Sequence, residues 1–251
     1  MLTIGEPWLS VIIPVYREPE RELRSLLSWI DVNDHPSGIE WIISCATGDK
    51  SSALVRSLSK SVEASSRDLL PTTTVENLIV IESAAGRATQ MNAGARRAKA
   101  QLLLFLHADT RLDGNWSKVL YDSSCQGAMW GAFSPEIDRG GIIYRIAEFW
   151  GLWRSRALGL PYGDQAIFIR KEQFQKLGGF DEKVQFMEDV DLARRLGRLG
   201  ISPKLLEVAA RTSARRWDRH GLGQSTRNFF ALALYLSGAP RSFIRSWYQR
   251  G

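Results

Sequence analysis

Residues 101–111 read Gln-Leu-Leu-Leu-Phe-Leu-His-Ala-Asp-Thr-Arg. Five consecutive apolar residues, Leu102 to Leu106, predict a strand buried on both faces. The run stops at His107-Ala108-Asp109-Thr110, so a carboxylate stands where the strand ends. In open α/β sheets, ligands bind at the carboxyl edge of the strands. An aspartate there suits a hard divalent cation held against a substrate phosphate. It equally suits the cap of a following turn, and position in a fold does not by itself establish function.

Outward from this strand the chain alternates. Residues 9–16, 39–44 and 78–82 read as strands. Residues 20–30 carry Leu23, Leu26, Leu27 and Ile30 at helical spacing, and residues 51–65 resemble a second helix. Residues 69–75, with Pro71, read as a loop. After Gly86 an alanine-rich helix places Ala88, Met91, Ala95 and Ala98 on one face. Four strand–helix alternations in about 110 residues predict an α/β fold with a mostly parallel sheet and helices on both faces. The second part is less regular. It offers strands at 129–137 and 166–169, an amphipathic helix at 142–156 and a helix at 189–199 stopped by Gly200.

The 251 residues suffice for a substantial core, and 44% hydrophobic with 24% charged residues fits a globular chain. Cys45 and Cys125 form no zinc or Cys-x-x-Cys pattern, which suits a reducing compartment. The chain opens almost directly on a strand, so no secretion signal is expected. The longest apolar candidate, 229–236, is too short to cross a membrane. The net charge of +6 is uneven: from Arg194 onward twelve basic residues face only Glu207 and Asp218. Such a tail suits phosphates, an anionic membrane surface or nucleic acid. Nucleic acid is not expected, because no interleaved aromatic-basic module precedes the tail.

Six stations carry chemistry-bearing residues. Pro14-Val15-Tyr16-Arg17-Glu18 follows the first strand and offers a ring for a flat base and a carboxylate for ribose, or an ordinary turn. Gly86-Arg87 starts a helix that includes Asn92, and an arginine beside free backbone donors attracts a diphosphate. Its glycine spacing is neither a Walker loop nor a dinucleotide fingerprint. His107-Ala108-Asp109 is the third. Tyr162-Gly163-Asp164-Gln165 offers polar groups for acceptor hydroxyls, or a turn closed by Asp164. Glu188-Asp189 and Asp191 cluster at a helix N-terminus. Helix polarity accounts for one or two acids there, and burial behind Phe186-Met187 makes a carboxylate a better general base. Arg215-Arg216-Trp217, with His220 behind, suits a phosphate-rich ligand or a basic surface.

The ordered succession resembles family 2 glycosyltransferases of the GT-A fold: strand-Pro-x-Tyr-x-Glu, Gly-Arg, strand-x-x-Asp, Gly-Asp-Gln, Glu-Asp, Arg-Trp. It is most similar to small stand-alone bacterial members carrying Leu-His-Ala-Asp-Thr, Pro-Tyr-Gly-Asp-Gln, Met-Glu-Asp and Ser-Ala-Arg-Arg-Trp. The resemblance covers residues 9–221. It implies a GT-A domain over 1–225, with a nucleotide-binding half about 1–112 and an acceptor half about 113–225, followed by a basic aromatic tail at 226–251.

The same resemblance implies an inverting, Mn²⁺- or Mg²⁺-dependent transfer from a nucleoside-diphosphate sugar to a hydroxyl or phosphate of a saccharide or lipid-linked acceptor. Pro14, Val15, Tyr16, Glu18, Arg87, Asn92, His107 and Ala108 would line the donor. Asp109 would bind the metal, and Tyr162, Gly163, Asp164 and Gln165 would border the acceptor. Asp189 matches the base, with Glu188 beside it, and Arg216 with Trp217 would sit at the leaving diphosphate. One departure stands out: Cys45 occupies the place of the family's base-contacting aspartate, and a thiol is a poor acceptor for a base N–H. The alternative is therefore a non-catalytic nucleotide-sugar-binding protein of the same fold. No Ser-His or Cys-His nucleophile is apparent, which agrees with single displacement. The expected location is cytoplasmic, with peripheral contact at the inner membrane face left open by two segments. These are the aromatic, arginine-rich residues after 228 and the helix at 142–156.

Overall fold

The structure, a computed structural model, describes residues 6–33, 38–66, 78–184, 186–214 and 222–250. The nucleotide-side elements are β1 (Leu9–Val15), α1 (Glu20–Asn33), β2 (Ile39–Ala46), α2 (Ser51–Ser66), β3 (Leu78–Ser83), α3 (Arg87–Arg97) and β4 (Leu102–Phe105). Each lies within a few residues of its expected bounds. There follow β5 (Thr110–Leu112), α4 (Trp116–Cys125), β6 (Trp130–Ile137) and α5 (Ile142–Leu158). A 3-10 turn (Gly163–Gln165) leads into β7 (Ile167–Arg170), α6 (Lys171–Lys176), α7 (Glu188–Arg198) and β8 (Lys204–Thr212). Two helices, α8 (Leu222–Leu236) and α9 (Arg241–Arg250), complete the described chain. The expected loop at 69–75 and the residues Arg216, Trp217 and His220 lie outside the described residues.

The eight strands among the described residues form one sheet in the order β3-β2-β1-β4-β7-β6-β8-β5. β1 runs parallel to β2 and β4, and β2 parallel to β3. β7 is antiparallel to both β4 and β6, while β6 and β8 are parallel and β5 opposes β8. The sheet is therefore mixed but largely parallel.

Alternation of side chains across the pleat sorts the apolar runs onto two faces. Leu102, Leu104 and Leu106 pack in one core with Val11, Ile13, Trp41 and Ile43, beneath Leu23, Leu26 and Ile30 of α1. Leu103 and Phe105 pack in the other core with Ile12, Ile42, Met91, Phe174 and Phe180. The continuous apolar reading of 102–106 thus has a physical cause: both faces are covered. On the second face α3 lies directly on β1. A side-chain carbon at Gly94 would sit 2.4 Å from Ile12 Cγ2, so this approach requires glycine.

The tail contributes to the same core. Ala231, Leu232, Tyr235 and Ile244 are buried against it, and the Tyr235 hydroxyl donates to Asp191 at 3.2 Å. The apolar stripe of α5 faces outward instead. Ile142, Ile146, Phe149, Trp150 and Trp153 are all exposed, while Arg154 and Ser155 are its buried residues. Among the described residues no helix is long and apolar enough to cross a membrane.

Candidate active site

The strand directions gather the stations. β1, β2 and β4 run one way, so the loops that follow them share one sheet edge. β7 runs the other way, so the loop that precedes it reaches that edge too. Phe105 pairs with Ile167, which sets the Gly163–Gln165 turn beside His107. A side-chain carbon on Gly163 would meet His107 Nε2 at 2.8 Å and Asp189 Oδ2 at 3.4 Å. β8 ends at the same edge, where the Ser213 amide donates to the Asp109 carbonyl at 3.1 Å. This crevice between β1 and β4 is the switch point of an α/β sheet.

Asp189 stands at its centre, in the first turn of α7. Its Oδ2 accepts the Gly163 N–H at 2.6 Å and its Oδ1 accepts the Val190 N–H at 2.7 Å. Burial pushes its carboxyl up to about 6, and the neighbouring charge of Glu188 pushes the same way. The two amide bonds and Arg87 oppose that rise. Glu188 is 3% exposed and receives Arg87 Nη1 at 3.0 Å. Desolvation within the cluster works against the Arg87 charge, although the side chain is 44% exposed; Glu188, Asp189 and Asp109 outweigh it and hold the guanidinium pKa above its usual value. Arg87, Glu188, Asp189 and Asp109 therefore form one electrostatic cluster drawn from three separate parts of the chain.

The expected acceptor residues divide by burial. Gln165 is fully buried. Its Oε1 accepts Arg154 Nη2 and Ser155 Oγ, both at 2.9 Å, and the Tyr162 N–H at 3.0 Å. Its Nε2 donates to the Phe133 carbonyl at 3.2 Å. Gln165 is thus a bracing hub that fixes the turn. The Arg154 guanidinium carbon lies 3.1 Å from the centroid of the Tyr162 ring. Burial pushes the Tyr162 hydroxyl up to about 12, keeping it neutral. Asp164 is half-buried on the same turn.

The donor side divides in the same way. Tyr16 is exposed, with the Arg17 guanidinium carbon 5.0 Å from its ring centroid. Pro14 and Glu18 are half-buried beside it. Val15 and Ala108 have buried side chains in the core. Of their backbone groups, the Val15 carbonyl accepts Gln90 Nε2 at 2.8 Å and the Ala108 carbonyl accepts Arg111 Nη1 at 2.7 Å. Asn92, expected at the donor, braces the fold: Nδ2 donates to the Phe180 carbonyl and to Glu182, and Oδ1 accepts the Phe180 N–H. Cys45 is fully buried, and burial first, then Asp49 and Glu82, raise its thiol to about 12. It is a neutral core residue, and it has no exposed surface with which to meet a base.

Two residues that sequence reasoning missed shape this side. Asp49 accepts the Arg17 N–H at 2.7 Å and the Ser51 hydroxyl at 2.6 Å, linking the loops after β1 and β2. Its slight burial raises its pKa, but these bonds and the Lys50 and Ser51 amides more than reverse the effect. Gln90 reaches from α3 to the carbonyls of Val15 and Ser44, at 2.8 and 2.7 Å. A lone glutamine among the small residues of that helix was the available signal. Among the described residues, three non-glycines hold positive φ: Arg17 (52°), Ala166 (52°) and Met187 (62°). Each adjoins a station of the site. Local strain of this kind costs about 1–3 kcal/mol and clusters where function fixes a geometry.

A divalent cation must be tested against these donors. Among the described residues no group of three or more His, Cys, Asp and Glu side chains converges on a point that would hold a metal. The half-buried Asp109 beside His107 suits a cation that arrives with a diphosphate, whose oxygens and water complete its shell.

No family model matches the chain. Over 137 residues it is 30% identical to N-acetylglucosaminyl-diphospho-decaprenol L-rhamnosyltransferase of Mycobacterium tuberculosis, covering 47% of this chain and 44% of that protein. Over 135 residues it is 30% identical to O-antigen biosynthesis protein RfbC of Myxococcus xanthus, covering 44% of this chain and 10% of that one. The matched segment thus spans less than half of either relative. In three dimensions the chain superposes on mannosyltransferase PcManGT from Pyrobaculum calidifontis, solved with GDP-Man and Mn²⁺. The TM-score is 0.67 at 17% identity, over 96% of this chain and 68% of that one. S. aureus TarS 1–349 gives 0.54 at 13% identity, over 94% and 68%. The fold is that of GT-A glycosyltransferases.

Proposed function

We propose that the protein is an inverting glycosyltransferase, moving a sugar from a nucleoside-diphosphate donor to an acceptor hydroxyl. The observation that carries this reading is the convergence of Asp189 on Gly163, against His107 and within the field of Arg87. A half-buried carboxylate whose pKa is raised to about 6 by desolvation is a suitable base at neutral pH. Asp189 takes the acceptor proton as the acceptor oxygen forms its bond to the anomeric carbon. The bond to the diphosphate breaks in the same displacement, and the leaving group departs with the electron pair. Arg87, aided by Arg216, offsets that charge. Glu188 holds Arg87 in place, so its part is positioning.

Asp109, with His107 beside it, would hold Mn²⁺ or Mg²⁺, which when bound supplies further charge stabilisation to the diphosphate. Tyr16, Pro14 and Glu18 form the nucleoside wall, and Tyr162, Gly163 and Asp164 the acceptor wall. The name of the rhamnosyltransferase relative supports transfer of a sugar to a lipid-linked acceptor. The alternative, a non-catalytic nucleotide-sugar binder, draws on Cys45, whose burial leaves the nucleobase without the contact an aspartate would make; donor hydrolysis or transfer in vitro eliminates it. The decisive experiment is a thermal-shift screen of nucleotide sugars with and without Mn²⁺. A selective, metal-dependent shift is expected, followed by transfer or donor hydrolysis. No shift with any nucleotide sugar would overturn the proposal.

A further inference from the structure

An apolar cavity of about 490 Å³ lies between α5 and α8. Ile146, Trp150 and Trp153 line it from α5, and Phe229, Phe230 and Leu232 from α8. That volume is within the span of small-molecule sites, roughly 300–1,000 Å³. Its polar lining comprises Glu136, Glu148 and Thr212 and, from the turn before β7 and its brace, Tyr162, Asp164, Gln165 and Arg154. Tyr162 and Asp164 flank Gly163, whose N–H lies 2.6 Å from Asp189. The cavity and the base are therefore adjacent. Beside that turn Arg154, buried to nine-tenths, keeps its Nε buried with no hydrogen-bond partner. A buried donor without an acceptor calls for one.

The outer part of the cavity is open. Trp150 is 52% exposed, Phe229 61% and Phe230 55%. A contiguous apolar patch of this kind marks a surface that something covers. We propose that the cavity takes the apolar chain of an amphipathic acceptor, so that the hydroxyl at its head is presented to Asp189. This rests on the sugar-transfer reading and adds the acceptor's class: an aliphatic chain with one polar end. The match is between a largely apolar cavity that reaches the turn beside the base and a molecule with an apolar chain and a polar head. A membrane surface or a second copy would cover the outer aromatics, but would not reach the fully buried Gln165 or supply an acceptor to Arg154.

The test uses butyl, octyl and dodecyl glucosides below their micelle concentrations, with bromine on the alkyl chain to quench Trp150 and Trp153. Saturable quenching is expected, with affinity rising up to about fourfold per buried methylene. The gain from butyl to octyl should be at least tenfold. Ala147→Phe, which fills the cavity from α5, should weaken octyl binding about tenfold and erase the dependence on chain length. Asp189→Asn should keep the quenching and lose transfer. Equal affinity along the series, or an Ala147→Phe variant that binds like the native chain, overturns the proposal. So does a Phe230→Glu variant that loses flotation on phosphatidylglycerol vesicles, or loses dimers, where no dependence on chain length exists. Chain-length-dependent quenching without transfer to any acceptor upholds the occupant and overturns the enzymatic reading instead.

Discussion

The amide of Gly163 donates to Oδ2 of Asp189 at 2.6 Å, across 26 residues of sequence. One end of this bond is the turn before β7 and the other is the first turn of α7. It fixes the carboxylate relative to the acceptor wall and lowers the cost of ionising it. Four predictions turn on this relationship and its neighbours.

Burial holds the Asp189 proton more tightly than in an exposed aspartate, so the base ionises only above about pH 6. Activity should be full well above that value and fall about tenfold for each unit below it. Asp189→Asn should lower turnover by about 10²–10⁴-fold while calorimetry finds donor affinity nearly unchanged. A rate independent of pH through that range, or a fully active Asn variant, would remove Asp189 as the base.

Arg87→Ala leaves Glu188 buried without its cation. A loss of about 1–3 kcal/mol is expected in denaturant unfolding. Arg87 also lowers the Asp189 pKa, so the acid limb of the rate profile should move to higher pH in this variant. Arg87→Lys should restore part of both. An unshifted acid limb would show that Arg87 and the base are not coupled.

Gly163→Ala introduces a carbon 2.8 Å from His107 Nε2. His107 is buried, so the neighbours must move, at about 1–3 kcal/mol of strain. The turnover number should fall by tenfold or more, with a smaller change in donor affinity. A variant with native kinetics would mean that His107 and Asp189 tolerate displacement.

Asp109→Ala should reduce donor affinity in Mn²⁺ to the level that the native chain shows in chelator. Calorimetry with and without the metal makes the comparison. A native chain whose donor affinity ignores the metal would sink the assignment of Asp109.

The nucleotide side was legible because its strands are continuous apolar runs and its helices carry regular apolar spacing. Leu23, Leu26, Leu27 and Ile30 are all buried as their spacing required. β8 escaped notice because it carries Lys204, Glu207 and Arg211 at exposed or half-exposed positions and alternates poorly. The three residues of β5 are too few to show a period. The direction of β7 is not written in its own four residues; it follows from neighbours distant in sequence. In the site, carboxylates and arginines announced themselves by type. Asn92 and Gln165 did not reveal their bracing roles, because an amide that grips a ligand and one that grips the backbone look alike in sequence. Two of the twelve basic residues in the last segment were also misleading as free charges: Arg195 bonds Asp191 and two carbonyls, and Arg211 bridges Asp113 and Glu136.

The insertion of β7 between β4 and β6 bears on how the protein is made. During synthesis β1 to β4 emerge first and pair among themselves, but the free flank of Leu102–Phe105 gains its partner only when Ile167–Arg170 leaves the ribosome. For more than sixty residues of translation, an apolar strand stands as an open sheet edge, the feature that most invites pairing with another chain. The nascent protein is thus most vulnerable to aggregation midway through its own production, at the strand that leads into Asp109.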